Sequence, residues 1–193
     1  MKQNKTEIIF LLDRSGSMSG LEKDTIGGFN ALIQKQCQLG ETILTTILFD
    51  DKYEILWNGV DAIKIKLTEK EYFVRGTTAL LDAIGKTILD VSFRLGNMKD
   101  EDKPDHLLFV ITTDGMENAS KEFSYEKVKE MIRNQQEKHG WEFMFLGANI
   151  DVEEEAEQLG ISRDQTFEFE ASEKGVEAMY SMVNEKLTSM RKL

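Results

Sequence analysis

The sequence predicts an α/β protein with a mostly parallel central sheet, one antiparallel edge strand and helices on both faces. Short strand-like runs alternate along the chain with longer segments of helical periodicity, which is the order that βαβ crossovers produce. His106–Thr112 is an almost continuous apolar run, as expected for a central strand covered on both faces. Asp50 and Asp51 separate two strand-like runs and indicate a hairpin turn, which supplies the antiparallel edge strand.

Each element follows from its own local pattern. Apolar or β-branched runs predict strands at Glu7–Leu12, Thr42–Phe49, Tyr53–Trp57, His106–Thr112, Trp141–Leu146 and Thr166–Phe169. Helical spacing of apolar residues predicts helices at Leu21–Leu39, Thr78–Leu95, Ser124–His139, Asp151–Leu159 and Ser172–Met190. Gly40 and Gly160 suit helix ends, and Ser124 and Asp151 suit N-caps. With one proline, no repeat and no linker, residues 1–193 are predicted to form a single domain.

Charge and composition disfavour several classes of function. The chain has 24 Lys and Arg against 35 Asp and Glu, for a net charge of -11, which repels nucleic acids and anionic membranes. An acidic surface that only maintains solubility explains the same charge. Cys37 is the only cysteine, and no apolar stretch approaches the roughly 20 residues that span a bilayer. We expect a cytoplasmic protein that binds cations or basic partners, and neither nucleic acid nor membrane.

Polar side chains cluster at three points that the predicted topology brings to one edge of the sheet. They are Asp13, Ser15 and Ser17 after the first strand, Thr77 and Thr78 before a helix, and Asp114 after the central strand. Oxygen ligands without His or Cys suit Mg²⁺, Mn²⁺ or Ca²⁺ rather than zinc or copper. Two carboxylates leave such an ion open to a further carboxylate from outside. Taken singly, each cluster is also explained by an ordinary turn or N-cap.

Enzymatic sites fit these residues less well. The loop lacks the Gly-Lys-Ser/Thr of a P-loop and the Gly-x-Ser-x-Gly of a nucleophile elbow. His106 and His139 are not predicted near the cluster, which leaves a Ser-His-Asp triad unsupported. Asp13 as the nucleophile of a metal-dependent phosphatase or phosphotransfer enzyme stays the alternative, although Ser15 stands where such a site usually has a second carboxylate.

The three clusters together resemble the metal-ion-dependent adhesion site of von Willebrand factor A (VWA) domains. "FLLDRSGSMSG" resembles the family's Asp-x-Ser-x-Ser signature, "RGTTALLDAIG" its threonine segment and "FVITTDGMENAS" its aspartate-glycine segment. The resemblance implies a Rossmann-like VWA fold with a metal ion held by Asp13, Ser15, Ser17, Thr78 and Asp114. Thr77 stands where the family has glycine, which leaves open which threonine is the ligand, with Thr78 favoured.

The same resemblance implies a metal-dependent protein-binding module without catalysis, in which an Asp or Glu of a partner completes the metal coordination. "WEFMFLGANID" is similar to small stand-alone bacterial or phage VWA proteins. Intracellular VWA proteins often look like adaptors for AAA+ ATPases or belong to stress-resistance and phage-linked systems, and nothing in the sequence selects among these. A scaffold with a vestigial site is a third interpretation. Arg14, Met18, Glu117 and Asn118 are expected on the rim, as partner contacts or as solvated loop residues.

Overall fold

The computed structural model describes residues 4–192 as one six-stranded sheet with helices on both faces. The strands are β1 (Thr6–Asp13), β2 (Thr42–Phe49), β3 (Tyr53–Asp61), β4 (His106–Thr113), β5 (Glu142–Gly147) and β6 (Thr166–Glu168). The helices are α1 (Glu22–Leu39), α2 (Leu80–Gly96), α3 (Tyr125–His139), α4 (Val152–Leu159) and α5 (Glu173–Met190). In this part of the chain no helix is both long enough and apolar enough to cross a membrane.

The sheet order is β3-β2-β1-β4-β5-β6, and every neighbouring pair is parallel except β2 and β3. The predicted fold class is therefore confirmed. In the parallel register, Asp13 pairs with Phe49 and Leu12 with Thr112. The carboxyl ends of β1, β2 and β4 thus lie level, and the residues that follow them meet at one edge of the sheet.

The central strand β1 is buried on both faces, because helices cover the sheet on each side. Ile8, Phe10 and Leu12 belong to the core beneath α1 and α5. Ile9 and Leu11 belong to the core beneath α2, α3 and α4. This alternation fixes the register of β1, since a slip by one residue would exchange the two faces.

Helices α1 and α5 pack closely because α1 carries a glycine at their contact. A Cβ atom on Gly28 would overlap the ring of Tyr180 on α5. The Tyr180 ring in turn lies 5.8 Å from that of Phe10, and Phe29 packs edge-on against Phe10 at 5.5 Å. Gly28 thus lets an aromatic side chain of α5 reach the central strand.

Two predicted boundaries differ from the structure by two residues or more, and each difference has a physical reason. Helix α2 begins at Leu80 rather than Thr78, because the Thr78 carbonyl accepts from the Asn118 amide at 3.0 Å, and the Asp82 amide, its partner in a longer helix, donates to Ser120 Oγ at 2.9 Å instead. Strand β3 continues beyond the predicted end to Asp61. Its pairing with β2 is irregular around Thr46, which breaks the period-two pattern that predicts strands.

Two predicted helix caps are confirmed. The Ser124 hydroxyl accepts a hydrogen bond from the Lys127 amide at the start of α3. The Asp151 carboxylate accepts one from the Glu154 amide at the start of α4. These caps satisfy amides that have no partner within the helix.

Candidate metal site

Asp13 ends β1 and is held in place by hydrogen bonds to both of its carboxylate oxygens. The Ser15 amide donates to Oδ1 at 2.7 Å, and the Thr113 hydroxyl donates to Oδ2 at 2.7 Å. The Tyr72 hydroxyl donates to the Asp13 carbonyl oxygen at 2.9 Å. The residue is only 1% exposed. Burial raises the pKa of Asp13 above its ordinary value, although the hydrogen bonds from Ser15 and Thr113 oppose this rise.

Three hydroxyl groups face one small space beside Gly115. A Cβ atom on Gly115 would lie 2.9 Å from Thr78 Oγ1, 3.5 Å from Ser17 Oγ and 3.8 Å from Ser15 Oγ. Ser15 Oγ and Ser17 Oγ are 3.0 Å apart, and Ser17 Oγ also donates to Asp114 Oδ1. A glycine at position 115 therefore leaves room at the point where the hydroxyls converge.

Asp114 carries a buried carboxylate oxygen without a partner. The residue is 2% exposed, and its Oδ2 makes no hydrogen bond within residues 4–192. Burial is the main cause that raises the pKa of Asp114 to about 6; the hydrogen bond from Ser17 opposes the rise and the charge of Asp13 adds to it. Of the salt bridges among the described residues, none involves Asp13 or Asp114.

These observations fit a hard divalent cation. Two buried carboxylates without a cationic side chain, an unpaired oxygen of Asp114 and three converging hydroxyls form an oxygen-only donor set, which is the type that Mg²⁺ and Mn²⁺ prefer. Across residues 4–192 no group of three or more His, Cys, Asp or Glu side chains is placed to hold a metal ion. The hydroxyls of Ser15, Ser17 and Thr78 would therefore supply part of the ligand set.

The structure places the two neighbouring threonines differently. Thr78 is 3% exposed and its hydroxyl faces the space beside Gly115, whereas Thr77 is exposed to solvent. Thr78 is thus the threonine that adjoins Ser15 and Ser17. The five residues that the resemblance assigns to the metal lie together at this edge of the sheet.

The loop after β4 is tied to the start of α2, which positions Thr78. The Thr78 amide donates to Asn118 Oδ1, and the Asn118 amide donates to the Thr78 carbonyl, both at 3.0 Å. The Glu117 carboxylate accepts from the Leu81 amide at 2.9 Å. Asp82 accepts from three consecutive amides, those of residues 121–123. The rim positions Glu117 and Asn118 therefore hold the site together rather than only facing solvent.

Arg14 is not on the rim, and Met18 is buried as well. Arg14 is 0% exposed and Met18 is 4% exposed. Arg14 Nε donates to Asp50 Oδ2 at 3.0 Å, and Arg75 Nε donates to the same oxygen at 2.8 Å. Arg14 Nη2 also lies 2.8 Å from Glu54 Oε2, a charge contact without hydrogen-bond geometry. The Arg14 guanidinium is thus bound by Asp50, the carboxylate that follows β2, and forms no salt bridge with Asp13 or Asp114.

The supporting residues have weak sequence signals. Thr113 directly precedes Asp114, and its place at the end of a parallel strand is the one clue that it faces Asp13. Tyr72 lies 59 positions from Asp13 along the chain, and no local pattern connects the two. Asn118 joins Thr78 across 40 positions. Such contacts become visible only when the sheet edge is assembled.

Solved structures identify the fold. A mussel byssus protein, proximal thread matrix protein 1, whose structure has a zinc-occupied MIDAS motif, matches 95% of this chain with a TM-score of 0.63 and 16% identity. The manganese-loaded TRAP protein of Plasmodium vivax matches 92% with a TM-score of 0.62 and 19% identity. The fold is that of a VWA domain.

A third match with the VWA-type fold is the PilB minor pilin of Streptococcus sanguinis, which covers this whole chain with a TM-score of 0.67 and 11% identity. The chain spans 46% of the mussel protein, 63% of the pilin and 72% of TRAP. A scan against protein-family models finds no match, and a search of curated proteins finds no relative. At these identities the likeness concerns the fold.

Proposed function

We propose that the chain is a divalent-metal-dependent protein-binding module, in which an aspartate or glutamate of a partner completes the metal coordination. One observation carries the proposal. Asp13 and Asp114 are buried beside three converging hydroxyls, and no cationic side chain among residues 4–192 forms a salt bridge with either. Buried carboxylates need a compensating positive charge, and a metal ion would supply it.

The residues divide into two roles in this proposal. Ser15, Ser17, Thr78 and Asp114 face the shared space and would hold the ion directly. Asp13 has both oxygens engaged by hydrogen bonds, so it would orient the loop and contribute negative charge. When bound, the ion would attract a carboxylate from outside. We expect Mg²⁺, or else Mn²⁺ or Ca²⁺, as the ion, because all the donors are hard oxygens.

The solved structures support this proposal at the level of the fold. A MIDAS motif with zinc is named for the mussel protein, and manganese is named for TRAP. A cytoplasmic adaptor role, with an AAA+ ATPase assembly as one class of partner, belongs to the proposal through the sequence resemblance alone.

The alternative function, phosphotransfer through Asp13, has less support from the geometry. A nucleophilic carboxylate must be reachable by its substrate, whereas Asp13 is 1% exposed and each of its oxygens already accepts a hydrogen bond. Asp114 has one unpaired carboxylate oxygen, and its other oxygen accepts from the Ser17 hydroxyl, one of the three that converge beside Gly115. We therefore assign the site to binding.

Thermal unfolding with Mn²⁺ tests the metal site. At about a hundred times its dissociation constant, the ion should stabilise the wild type by roughly 2.7 kcal/mol, or some 5–10 °C in Tm. Asp114→Asn should abolish the shift, and the control Asp164→Asn, at an exposed carboxylate far from the site, should keep it. An equal shift in all three proteins, or none in the wild type, would contradict the proposal.

A further inference from the structure

Two exposed apolar side chains flank the candidate metal site. Phe73 is 42% exposed and Met116 is 69% exposed. Phe73 follows Tyr72, whose hydroxyl reaches the carbonyl of Asp13. Met116 lies two residues after Asp114, on the other side of the site. The two side chains therefore stand on the loops that carry the proposed ligands, one beside β1 and one beside β4.

Phe73 is exposed but held in a fixed position. The guanidinium carbon of Arg14 lies 5.4 Å from the centre of its ring, and that of Arg75 lies 5.2 Å away. Both arginines are in turn anchored on Asp50. The Phe73 side chain would therefore lose little additional conformational freedom when a partner contacts its ring. This is the property of an aromatic binding anchor.

The loop that carries Phe73 is also bonded to the loop that carries the serines. The Arg75 amide donates to the Arg14 carbonyl at 2.8 Å, and the Gly16 amide donates to the Gly76 carbonyl at 3.3 Å. The apolar side chain and the serine ligands therefore belong to one bonded unit. A segment that reaches the serine loop has this apolar side chain on the loop directly bonded to it.

The charges around the site restrict what such a segment can carry. Glu22 begins α1 directly after the serine loop, Asp51 lies against Gly76, and Glu117 lies three residues after Asp114. The chain as a whole has a net charge of -11. One carboxylate would be compensated by the metal, whereas additional acidic groups would meet carboxylates of the same sign. Arg75, the partly exposed cation beside Phe73, is already paired with Asp50.

We propose that the partner is a protein segment with a single acidic residue flanked by apolar side chains, which contact Phe73 and Met116 while the carboxylate binds the metal. This inference rests on the proposed function. The apolar contacts supply affinity at the rim, and the acidic surroundings reject segments with several acidic residues.

A library of short random peptides displayed on phage, selected on the Mn²⁺-loaded protein and eluted with chelator, tests the inference. The expected winners carry one Asp or Glu with aromatic or aliphatic neighbours. Winners with several acidic residues, winners without an acidic residue, or a failure to enrich any peptide on protein shown to bind Mn²⁺ would overturn it. If calorimetry shows no Mn²⁺ binding at all, the proposed function itself fails, which is a separate outcome.

Matched variants test the two apolar contacts with a selected peptide. Phe73→Ser and Met116→Ser should each weaken peptide binding about tenfold or more while Mn²⁺ binding by calorimetry stays unchanged. Phe93→Ser is the control: this side chain is 77% exposed on α2, next to Arg94, which binds Glu7 near the opposite end of β1. Peptide binding that is unchanged in both rim variants, or equally weakened by Phe93→Ser, would overturn the inference. If Phe73→Ser also weakens Mn²⁺ binding, the effect of Met116→Ser on peptide binding decides whether the inference holds.

Discussion

Two groups of buried carboxylates lie at the same edge of the sheet and have opposite surroundings. Asp50, after β2, is 0% exposed and accepts hydrogen bonds from two arginines, Arg14 and Arg75. Asp13 and Asp114, after β1 and β4, are as deeply buried but form no salt bridge in the described part of the chain. The protein thus provides its own cations for one carboxylate and hydroxyls for the other two.

The pKa values follow this difference. Burial alone would raise the pKa of Asp50, but the hydrogen bond from Arg75, the Lys52 amide and the two arginine charges outweigh it and lower the pKa. At Asp114 burial prevails, and the pKa rises to about 6. Asp50 is thus compensated by arginines of the protein itself, whereas Asp114 has a hydroxyl partner and, in the proposed function, would take an external cation.

The largest expected effect comes from neutralising Asp50, the carboxylate that the protein pairs with its own arginines. Asp50→Asn leaves Arg14 buried without its main partner and should lower the free energy of unfolding by about 3 kcal/mol. Breaking a buried ion pair usually costs about 3–5 kcal/mol. We expect the low end of this range because Arg75 is partly exposed and Glu54 still faces Arg14. Urea unfolding without metal measures it; an unchanged midpoint would mean that this ion cluster does not stabilise the fold.

The second prediction concerns a substitution that narrows the space between the hydroxyls of Ser15, Ser17 and Thr78. In Gly115→Ala the new methyl group lies 2.9 Å from Thr78 Oγ1, so Mn²⁺ affinity should fall about tenfold or more. Gly27→Ala is the matched control, since a Cβ there meets nothing within 4 Å. The control should bind Mn²⁺ normally and gain up to about 1 kcal/mol of stability in α1. Equal Mn²⁺ affinity in both variants, by calorimetry, would place the ion elsewhere.

The third prediction uses pH. A divalent ion binds the ionised form of Asp114, whose pKa without metal is about 6. Mn²⁺ affinity should therefore fall roughly tenfold between about pH 7 and about pH 5. Calorimetric titrations at the two pH values measure the change, and an affinity independent of pH would show that Asp114 is not a ligand.

The shifted pKa values of Asp114 and Asp50 predict that their contributions to the stability of the metal-free protein change with pH in opposite directions. The folded-state pKa of Asp114 is raised, so its contribution to stability is greatest below the ordinary pKa of 3.8 and is lost as the pH rises through about 6. The pKa of Asp50 is lowered, so its contribution is present above its ordinary pKa and is lost as the pH falls. Relative to wild type, Asp114→Asn should gain stability as the pH rises from about 4 to about 7 in urea unfolding with chelator. A constant difference would contradict this assignment.

The smallest expected effect concerns the hydrogen bonds by which Asn118 joins the loop after β4 to the segment before α2. Asn118→Ala removes the acceptor for the Thr78 amide and should cost about 1 kcal/mol of stability together with a few-fold loss of Mn²⁺ affinity. Asn97→Ala is the control, since its side chain donates to the Phe93 carbonyl at the far end of α2. It should leave Mn²⁺ affinity unchanged. Equal Mn²⁺ affinities in the two variants would show that Asn118 does not position Thr78.

Sequence patterns predicted the elements of the fold well because they are local. Alternation, apolar runs and caps such as Ser124 and Asp151 depend on residues a few positions apart. The end of β3 was predicted too early because its irregular pairing with β2 removes the period-two signal. The start of α2 differs from the predicted one by two residues because the Thr78 carbonyl and the Asp82 amide, which would bond to each other in a longer helix, both bond to the loop after β4.

By itself, the sequence determined the α/β alternation and the set of oxygen-bearing residues that follow the strands. In a mostly parallel sheet the carboxyl ends of the strands lie at one edge, so these residues were expected to meet there. Only the tertiary structure decided which charges are paired. Arg14 follows Asp13 directly in the chain, yet its guanidinium is bound by Asp50, 36 positions away. The physical reason is that burial makes an unpaired charge costly, so the pairing depends on distances in space, which the order of residues does not contain.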